Sequence, residues 1–451
     1  MSTINTIQKS VLKSISPTST RSKEVQDIIS KIQKKLQTQI KKQKLQAEAF
    51  IGGSIAKGTY FANKTDVDIF IRFDYITYKT KSNQLSDLLE PILTAAFPLL
   101  AKKNKLHRVH GSRDYFQINM QGFQFEFVPI LNITDAKDAI NITDVTPLHV
   151  DYVNKSANKQ LKDQIRLAKQ FAKANNCYGA ESYIGGFSGY VLEILTIHYS
   201  SFEALLKASQ KWKLNSHPNE KKTVIDPSNY HKGKMISFEI DVSKLQSPIV
   251  VVDPTDKWRN ASAALIMQKV KLFQKAAKQY LKSPNKSFFE KQPVTVKNLK
   301  QIAKKSKLNL TYLELIPNLG KQDVVGCQIL KTFEFIKKEL KEFTLKQANW
   351  DWQRQENSDG QENSGKAILY YFTKKSKLPK TFKIQGPPTT MSAACKAFKK
   401  AHKNTTTVQG KLVATENYKQ TDLELVLLAI LKKSYLKQKF QQLSKTELTL
   451  N

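Results

Sequence analysis

The stretch Gly53-Ser54-Ile55-Ala56-Lys57-Gly58-Thr59, followed a few residues later by Asp66-Val67-Asp68, is the most informative part of this sequence about its fold. The apolar residues 49–51 before it predict a short strand, which the glycines end. Glycine lets backbone N–H groups approach a ligand closely. Together with the hydroxyl of Ser54 and the ammonium of Lys57, such a turn suits the phosphates of a nucleoside triphosphate.

The segment 65–72 after this turn alternates as a strand does. Successive side chains of a strand point to opposite faces, so Asp66 and Asp68 share one face while Val67 and Ile69 lie on the other. Two carboxylates beside a phosphate-binding turn are the ligands that a pair of hard divalent cations needs. The alternative is a glycine-rich turn followed by a strand with solvated acids. The order and spacing of the two motifs together favour the metal site.

A third carboxylate is predicted on a neighbouring hairpin. Residues 115–120 and 123–129 have the composition of strands, and Gln121-Gly122 between them is typical of a turn. Alternation puts the phenylalanines of the second strand on one face and Glu126 on the other. A carboxylate in an aromatic strand is costly unless it is paired or bound to a metal; the alternative is an edge strand whose glutamate faces water. Asp114 is the second candidate for this third ligand.

The composition indicates a folded protein with an acidic partner. The chain has 451 residues, which predicts roughly three domains at about 150 residues each. Hydrophobic residues make up 40% of it, enough to bury cores. The 73 Lys and Arg against 38 Asp and Glu give a net charge of +35, and nucleic acid is the first partner that such a charge suggests. A general preference for lysine is the alternative explanation for part of this charge.

The cysteines and the apolar runs exclude several classes of protein. Cys177, Cys327 and Cys395 lie far apart, without a CxxC pair or partnering histidines, which argues against a zinc site and a disulfide framework. The first residues lack the apolar region of a signal peptide, and no apolar run approaches about 18 residues. We therefore expect a cytoplasmic protein with no membrane partner.

The Gly-Ser turn followed by a spaced Asp-x-Asp resembles the signature of the polymerase-β-like nucleotidyltransferases. Further stretches make most of the chain resemble the archaeal-type (class I) CCA-adding enzymes, a family of tRNA nucleotidyltransferases. These stretches are Glu126-Phe-Val-Pro129, Thr146-Pro-Leu-His149, Lys169, Tyr178-Gly-Ala-Glu181, Gly186-Phe-Ser-Gly-Tyr190, Val252-Asp-Pro254 with Arg259-Asn260, and Gly386-Pro-Pro388.

The resemblance implies an α+β protein that adds C, C and A to the 3′ end of tRNA from CTP and ATP, without a template and with Mg²⁺. Asp66, Asp68 and Glu126 would then hold the metal, and one of these carboxylates would assist deprotonation of the RNA 3′-hydroxyl. The nucleotide-binding residues that it implies are Gly53, Ser54, Lys57, Thr146 and His149 for the incoming nucleotide, Lys169 and Tyr178 for its triphosphate, and Arg259 for the choice of C and A over G and U.

The resemblance also predicts how the chain is divided. We expect a nucleotidyltransferase catalytic domain over 1–150 and a helical central domain that binds nucleotide and tRNA over 151–282. A mixed α/β C-terminal body and tail over 283–451 would bind tRNA by its shape and backbone. A homodimer is also implied.

The remaining elements are predicted from periodicity and composition. Residues 1–20 are expected to be a polar leader, and the apolar positions between 25 and 40 predict a helix. The other predicted elements are a helix over 85–101, strands over 313–316 and 367–372, a loop over 357–365, and helices over 391–402 and 423–443.

Several of the implied residues have structural alternatives. Arg259 could pair with Asp253 or Asp256 across a turn instead of contacting a base. His149, Lys169 and Tyr178 could satisfy a helix start, lie on a solvated helix face and pack as an aromatic, respectively. Two residues also depart from the family's usual pattern, because Glu126 is one methylene longer than the usual Asp and Lys57 lacks the bidentate fork of the common Arg.

Two other functions stay open on the sequence alone. A poly(A) polymerase, or an oligoadenylate or cyclic-dinucleotide synthase, would use the same fold with a different product. A non-catalytic RNA-binding protein would keep the scaffold without the chemistry; the three acids argue against it.

Overall fold

The computed structural model describes residues 3–63, 66–356 and 362–450. The chain forms two compact units, residues 1–292 and 293–451, and both combine helices with sheets. The predicted α+β class is therefore confirmed. No helix within the described ranges has the length and apolarity to cross a bilayer.

The first unit begins with two helices and contains the strands that carry the predicted acids. Its helices are Thr3–Ile15 (α1), Ser19–Lys42 (α2), Gly53–Ala56 (α3), Tyr75–Tyr78 (α4), Leu85–Ala96 (α5), Pro98–Lys102 (α6), Thr146–Ser156 (α7), Lys159–Ala174 (α8), Gly189–His198 (α9), Phe202–Ser209 (α10), Ile236–Glu239 (α11) and Met267–Lys282 (α12). Its strands are Ala47–Ile51 (β1), Asp66–Asp74 (β2), His107–Val109 (β3), Tyr115–Met120 (β4), Phe123–Asn132 (β5), Val224–Ile225 (β6), Val250–Asp253 (β7) and Asp256–Asn260 (β8).

A mixed sheet with strand order β1-β2-β5-β4-β3 forms the first core of this unit. β2 and β5 run parallel, and the other neighbours in the sheet are antiparallel. The apolar face of β2 and β5, which includes the fully buried Ile69, Phe125 and Phe127, packs in one core with residues of α2 and α5. Because side chains alternate along a strand, burying this face leaves the opposite face of β2 and β5 for the acids.

A second core in the first unit lies around α8, α9 and α12. Phe171 on α8 is at its centre, in ring contact with Phe202, Phe273 and Tyr280. The chain between α10 and α12 carries the small sheet β6-β7-β8, whose β7–β8 hairpin holds Asp253 and Arg259. The predicted division of the chain near residues 150 and 282 stays a prediction.

The second unit contains two antiparallel sheets with strand orders β10-β11-β9-β15 and β12-β14-β13. The helices α14 and α16 contribute to the core on one side of the larger sheet, and α15 packs on β12. Its helices are Val296–Ser306 (α13), Gln322–Glu339 (α14), Ser392–Ala401 (α15), Leu423–Leu431 (α16) and Ser434–Lys437 (α17); its strands are Asn309–Pro317 (β9), Leu345–Glu356 (β10), Glu362–Thr373 (β11), Thr381–Pro388 (β12), Thr405–Val408 (β13), Lys411–Asn417 (β14) and Phe440–Thr449 (β15).

Two predictions at the beginning of the chain were wrong. Residues 3–15 form the helix α1 and not a polar leader, because Ile7, Val11 and Ile15 recur at helical spacing and pack into the second core. The predicted helix over 85–101 is two helices, since Phe97 before Pro98 has φ −132° and ψ 56°. A residue that precedes proline is disfavoured in the helical region, so the helix ends there.

Predictions near the end of the chain were partly right. Strands cover 313–316 and 367–372, and a helix covers most of 391–402. The helix predicted over 423–443 ends at Leu431 and is followed by the short helix α17; from Phe440 the chain is instead the strand β15, because it pairs with β9 and this tertiary pairing overrides local periodicity. Of the loop predicted over 357–365, residues 357–361 lie outside the described residues and 362–365 belong to β11. Thr65 also lies outside them.

Candidate active site

The predicted acids lie on neighbouring parallel strands. In the register of β2 and β5, Asp68 is the partner of Glu126 and Asp66 is the partner of Gln124. Partners in a parallel ladder point to the same face, so Asp66, Asp68 and Glu126 share the face opposite the phenylalanine core. β5 lies between β2 and β4, which excludes the alternative of an edge strand for Glu126. Its Oε1 accepts a hydrogen bond from Gln117 Nε2 at 2.9 Å.

The glycine-rich turn packs directly against Asp68. Gly53 has a φ of +60°, and a Cβ at this position would lie only 1.7 Å from Asp68 Oδ2. The neighbouring Gly52 N–H donates a hydrogen bond to the backbone carbonyl of Asp68 at 2.9 Å. A residue with a side chain cannot occupy position 53 without displacing the carboxylate. The turn and Asp68 therefore fix each other's position. Ser54 follows in the first turn of α3.

The three carboxylates fit a hard divalent cation by their chemistry, since Mg²⁺ and Ca²⁺ prefer oxygen ligands. Within the described ranges, however, no group of three or more His, Cys, Asp or Glu side chains is assembled closely enough to hold a metal ion. The structure thus provides a shared face of acids and not a formed coordination cage. Asp114, the second candidate for the third ligand, lies 3.0 Å from Arg108 Nε and 3.0 Å from His110 Nδ1 in an ionic cluster of its own.

A buried ionic cluster lies beside the turn. Glu193 on α9 accepts hydrogen bonds from Lys57 Nζ at 2.9 Å, Thr59 Oγ1 at 2.8 Å and Lys169 Nζ at 2.7 Å. Lys169 Nζ also donates to Thr59 Oγ1 at 2.9 Å. Lys169 is 3% exposed, so the alternative of a lysine on a solvated helix face is wrong. The cluster brings together residues from the turn, α8 and α9.

Charge and burial oppose each other in this cluster. Burial by itself raises the pKa of Glu193, but the attraction of Lys169 and Lys57 outweighs it and lowers the pKa to about 2. Burial lowers the pKa of Lys169 from its ordinary value, and Glu193 is the neighbour that opposes this loss of the proton. The carboxylate is therefore ionised at neutral pH and acts as the counter-charge of two ammonium groups.

Two further cations on α8 hold the end of the turn. Arg166 donates to the carbonyl of Gly58 at 2.6 Å through Nη2 and to that of Tyr60 at 2.9 Å through Nε. Lys162 Nζ donates to Asn154 Oδ1 at 2.8 Å, and Asn154 on α7 donates to the Ala56 carbonyl at 3.1 Å. The turn is thus fixed against the helices α7 and α8 that follow the sheet.

A second polar network surrounds Asp253 on β7. Its Oδ1 accepts hydrogen bonds from Tyr190 Oη at 2.9 Å and from the Thr255 N–H at 2.9 Å, and its Oδ2 pairs with Arg259. His149 Nε2 lies 3.2 Å from the same Oδ2, within ion-pair distance but without the alignment of a hydrogen bond. Burial raises the pKa of Asp253, but His149 and Arg259 outweigh it and hold that pKa well below its usual range. The alternative pairing of Arg259 with Asp253 is therefore present.

Tyr190 connects the two networks. Its ring stacks on His149 with a centroid separation of 3.9 Å, and Lys57 Nζ lies 5.0 Å from the same ring centroid. Tyr190 and Glu193 are three residues apart on α9, and positions i and i+3 of a helix lie on the same side. One face of α9 therefore contacts both the lysine cluster and the Asp253 network.

The last two predicted nucleotide-binding residues lie at the borders of these networks. Thr146 is the first residue of α7, one turn before His149. The hydroxyl of Tyr178 would lie 3.0 Å from a Cβ at Gly189, where the Lys169 side chain also approaches to 3.6 Å. Burial raises the pKa of Tyr178, so its hydroxyl stays protonated at neutral pH.

Sequence reasoning missed Glu193 as a member of the site. Its signal was present, because it is the only acidic residue of the apolar stretch 190–199. A charged residue in an otherwise apolar helix is almost never fully buried unless it is paired. The partners could not be read locally, since Lys57 lies 136 residues away in the sequence.

Comparison with known protein families separates the two halves of the first unit. The family described as "Second Messenger Oligonucleotide or Dinucleotide Synthetase domain" matches residues 1–148. The family described as "tRNA nucleotidyltransferase, second domain" matches residues 163–290. Among solved structures, that of a cytoplasmic RNA terminal U-transferase covers 64% of this chain and 99% of its own, with a TM-score of 0.47 and 14% identity.

Curated relatives from archaea match more of the chain than either family model does. A CCA-adding enzyme of Saccharolobus shibatae is 30% identical over 339 residues, which are 74% of this chain and 72% of that enzyme. The enzyme of the same name from Nanoarchaeum equitans is 40% identical over 221 residues, 48% of this chain and 51% of its own. The chain thus spans about half the length of the Nanoarchaeum relative and nearly three quarters of the Saccharolobus relative.

Proposed function

This chain belongs to the family of CCA-adding enzymes, and from that premise we propose that it adds C, C and A to the 3′ end of tRNA, using CTP and ATP without a template. One observation carries the proposal: Asp68 and Glu126 are partners across β2 and β5, and Gly53 packs against the Asp68 carboxylate. Acids beside a phosphate-binding turn are what a nucleotidyl transfer needs, because the chemistry consists largely of positioning and charge neutralisation.

The proposed metal ligands are Asp66, Asp68 and Glu126, and Mg²⁺ is the proposed ion. When bound, such ions lower the pKa of an attacking hydroxyl and neutralise a leaving pyrophosphate. One of the three carboxylates would accept the proton of the tRNA 3′-hydroxyl. The hydroxyl oxygen would then attack the α-phosphorus, and pyrophosphate would leave. The ladder between β2 and β5 would keep the acids aligned during this step.

The nucleotide would be held by the turn and the lysine cluster. The backbone N–H groups at Gly53 and Ser54, together with the ammonium groups of Lys57 and Lys169, are the proposed partners of the phosphates. Thr146, His149 and Tyr178 are the further proposed contacts, the first two to the nucleotide and Tyr178 to its triphosphate. Glu193 already neutralises one of the two lysine charges, so the cluster carries a net charge of +1 toward the phosphates.

Arg259 is the proposed residue for the choice of C and A over G and U. Its pairing with Asp253 supports this role, because a guanidinium fixed at one end presents its remaining donors in a defined direction. Asp253 in turn is held by Tyr190 and the Thr255 N–H. The structural pairing and the base-selecting role are thus compatible, since Arg259 has more donors than Asp253 occupies.

The acceptor and the assembly are also part of the proposal. We take tRNA as the acceptor, bound by the basic C-terminal segment 283–451 through its shape and backbone, and we retain the homodimer as a prediction. The match of residues 1–148 to a second-messenger synthetase domain leaves a polymerase or synthetase product open for that segment alone. The match of residues 163–290 to a tRNA nucleotidyltransferase domain favours tRNA.

The test is to incubate the purified full chain with a tRNA transcript that lacks its terminal CCA, supplying CTP, ATP, GTP and UTP singly and in pairs. We expect growth by two residues with CTP alone, by three with CTP and ATP together, and none with GTP or UTP. Long A tracts, or products that form without an acceptor, would contradict the proposal. Asp68→Ala serves as the inactive control in the same assay.

A further inference from the structure

Glu193 holds together the lysine cluster, the buried ionic cluster that it forms with Lys57, Thr59 and Lys169. It is 1% exposed, and each of its oxygens is occupied: Oε1 by Thr59 Oγ1 and Lys169 Nζ, Oε2 by Lys57 Nζ. All three donors lie within 2.9 Å of the carboxylate. Such charge-assisted hydrogen bonds fix direction as well as distance.

Without a counter-charge these lysines would not stay together. Lys169 is buried on α8, Lys57 approaches the same carboxylate, and Arg166 is three residues before Lys169 on the same helix. Burial and like charges both favour the neutral form of a lysine. An ammonium that loses its proton can no longer attract a phosphate.

We propose that Glu193 is a positioning residue for the triphosphate, which holds the ammonium groups of Lys57 and Lys169 in place at the edge of the Gly-Ser turn and thereby sets the affinity for CTP and ATP. The inference rests on the proposed function, because it assumes that both lysines face the phosphates. Glu193 acts through the lysines and not by contact with the nucleotide, since both of its oxygens already accept hydrogen bonds from the cluster.

The position of Glu193 on α9 extends this role to the rest of the site. Tyr190, one turn earlier, contacts Lys57 through its ring and Asp253 through its hydroxyl. His149 stacks on the same ring. The helix α9, which aligns the phosphate-binding lysines, therefore also supports the network of Arg259. A single helix thus sets the position of the groups proposed to hold the phosphates relative to the residue proposed to select the base.

The experiment measures the equilibrium dissociation constant (Kd) of CTP for the full chain, without tRNA, between pH 6 and pH 9. In Glu193→Gln we expect a Kd roughly tenfold to hundredfold above wild type near pH 8, the cost of a lost charge-assisted hydrogen bond. The ratio of variant to wild-type Kd should grow with pH, because the titratable groups left around Lys169 among the described residues are the cations of Lys57, Arg166 and Lys162 and the neutral hydroxyl of Tyr178. Rising pH removes its proton.

Two variants separate positioning from a purely structural role. Glu193→Asp keeps the charge but withdraws the carboxylate by one methylene, so we expect a several-fold higher Kd with little dependence on pH. Glu203→Gln on α10 removes a partly exposed acid of the same unit, which pairs only with Lys207 among the ion pairs described, and should leave Kd unchanged. Thermal melts show which variants fold, and Glu193→Asp decides the question if Glu193→Gln does not.

A Kd for Glu193→Gln at or below the wild-type value, or a ratio that does not change with pH, would overturn the inference. So would an unchanged Kd for Glu193→Asp. CCA addition by the wild-type chain is measured in parallel. If it fails, the proposed function is wrong; if it succeeds while the Glu193 variants bind CTP normally, only the role of Glu193 is wrong.

Discussion

At the scale of single residues, Gly53 is the position with the least tolerance. Its φ of +60° costs a residue with a side chain about 1–2 kcal/mol, and its missing Cβ leaves the space that Asp68 Oδ2 occupies. Replacement by alanine must push the carboxylate away from its position opposite Glu126.

We therefore predict that Gly53→Ala lowers kcat for nucleotide addition roughly 100-fold or more, since displacement of a reacting group by about 1 Å has that effect. Steady-state kinetics with a tRNA lacking CCA measures it. Gly122→Ala is the matched control, because Gly122 also has a positive φ, +76°, but within the described part of the chain no atom beyond its two sequence neighbours lies within 4 Å of its absent Cβ. It should lose stability only. Equal kcat for the two variants would show that the contact with Asp68 is irrelevant.

The residues of the acid face could be predicted from the sequence because the evidence for them is local. Alternation alone places Asp66 with Asp68 and separates Glu126 from its phenylalanine neighbours. Glu193 could not be assigned in this way, since its three partners come from distant turns and helices. Its burial depends on which elements pack together, and periodicity within α9 carries no information about Lys57 or Lys169.

At the scale of elements, the β7–β8 hairpin presents Arg259 through Asp253. The carboxylate also receives Tyr190 and the Thr255 N–H, so it forms a fixed point between α9 and the hairpin. Loss of its charge should release Arg259 and remove the carboxylate that lies 3.2 Å from His149 Nε2.

We predict that Asp253→Asn lowers the preference for CTP over UTP roughly tenfold, the scale of one lost charged hydrogen bond. The ratio of kcat/KM for the two nucleotides, measured at the first addition, is the readout. Asp256→Asn is the control, because it changes an acid of the same hairpin but leaves the pair of Asp253 and Arg259 in place; the Asp256 side chain accepts a hydrogen bond from the backbone N–H of Trp258. If both variants keep the wild-type preference, the pairing of Asp253 with Arg259 has no part in selection.

A buried ion pair joins the sheet to the segment that leads into α7. Arg113 before β4 pairs with Asp144 at 2.5 Å, and it also donates to the Pro129 carbonyl of β5 at 3.1 Å. Asp144 is fully buried and also accepts the backbone N–H of Leu131 at 3.0 Å. The pair therefore fixes the chain that leads from β5 into Thr146.

We predict that Asp144→Asn lowers the free energy of unfolding by about 3–5 kcal/mol, because it leaves a buried guanidinium without its counter-charge. Chemical denaturation at pH 7 measures this. Asp87→Asn removes a partner of Arg108 from an exposed pair and should cost less than about 1 kcal/mol. Similar losses in the two variants would contradict the assignment of Asp144 to the core.

The elements that the sequence did not predict share a physical reason. The helix α1 has its own apolar face, but a short amphipathic helix is stable only through the core on which it packs. β15 comes after an apolar helical pattern in the sequence, and it forms a strand because it pairs with β9, which would otherwise be the edge strand of the sheet. Both depend on partners far along the chain, which local propensity does not record.

At the scale of the whole molecule, the free energy of unfolding of the first unit should depend on pH through the ionisation of Glu193. Its pKa is lowered to about 2 from 4.5. A carboxyl with a lowered pKa in the folded state contributes stability that is present above its unfolded pKa and is lost as pH falls through its folded pKa. The window is therefore about pH 4.5 to 2.

We predict that Glu193→Gln is less stable than wild type by about 3–5 kcal/mol at pH 7, because it leaves the buried ammonium groups of Lys57 and Lys169 without their counter-charge. The difference should shrink as pH falls below 4.5. Urea titrations at pH 7, 4.5 and 3 measure it, with Glu203→Gln as the control that shows no such trend. A difference that stays constant over this range would mean that Glu193 does not hold its charge in the folded protein.

The proposed chemistry depends most on the shared face of β2 and β5 that carries Asp66, Asp68 and Glu126. The most direct measurement is the single-turnover rate of C addition, in Mg²⁺, by Glu126→Gln and by Asp114→Asn on a tRNA that lacks CCA. Both variants remove one carboxylate from the same sheet region, but only Glu126 is the register partner of Asp68. We predict a fall of roughly 1,000-fold for Glu126→Gln, the scale of a lost group that stabilises transition-state charge, and a wild-type rate for Asp114→Asn. A wild-type rate for Glu126→Gln would show that Glu126 has no part in the chemistry.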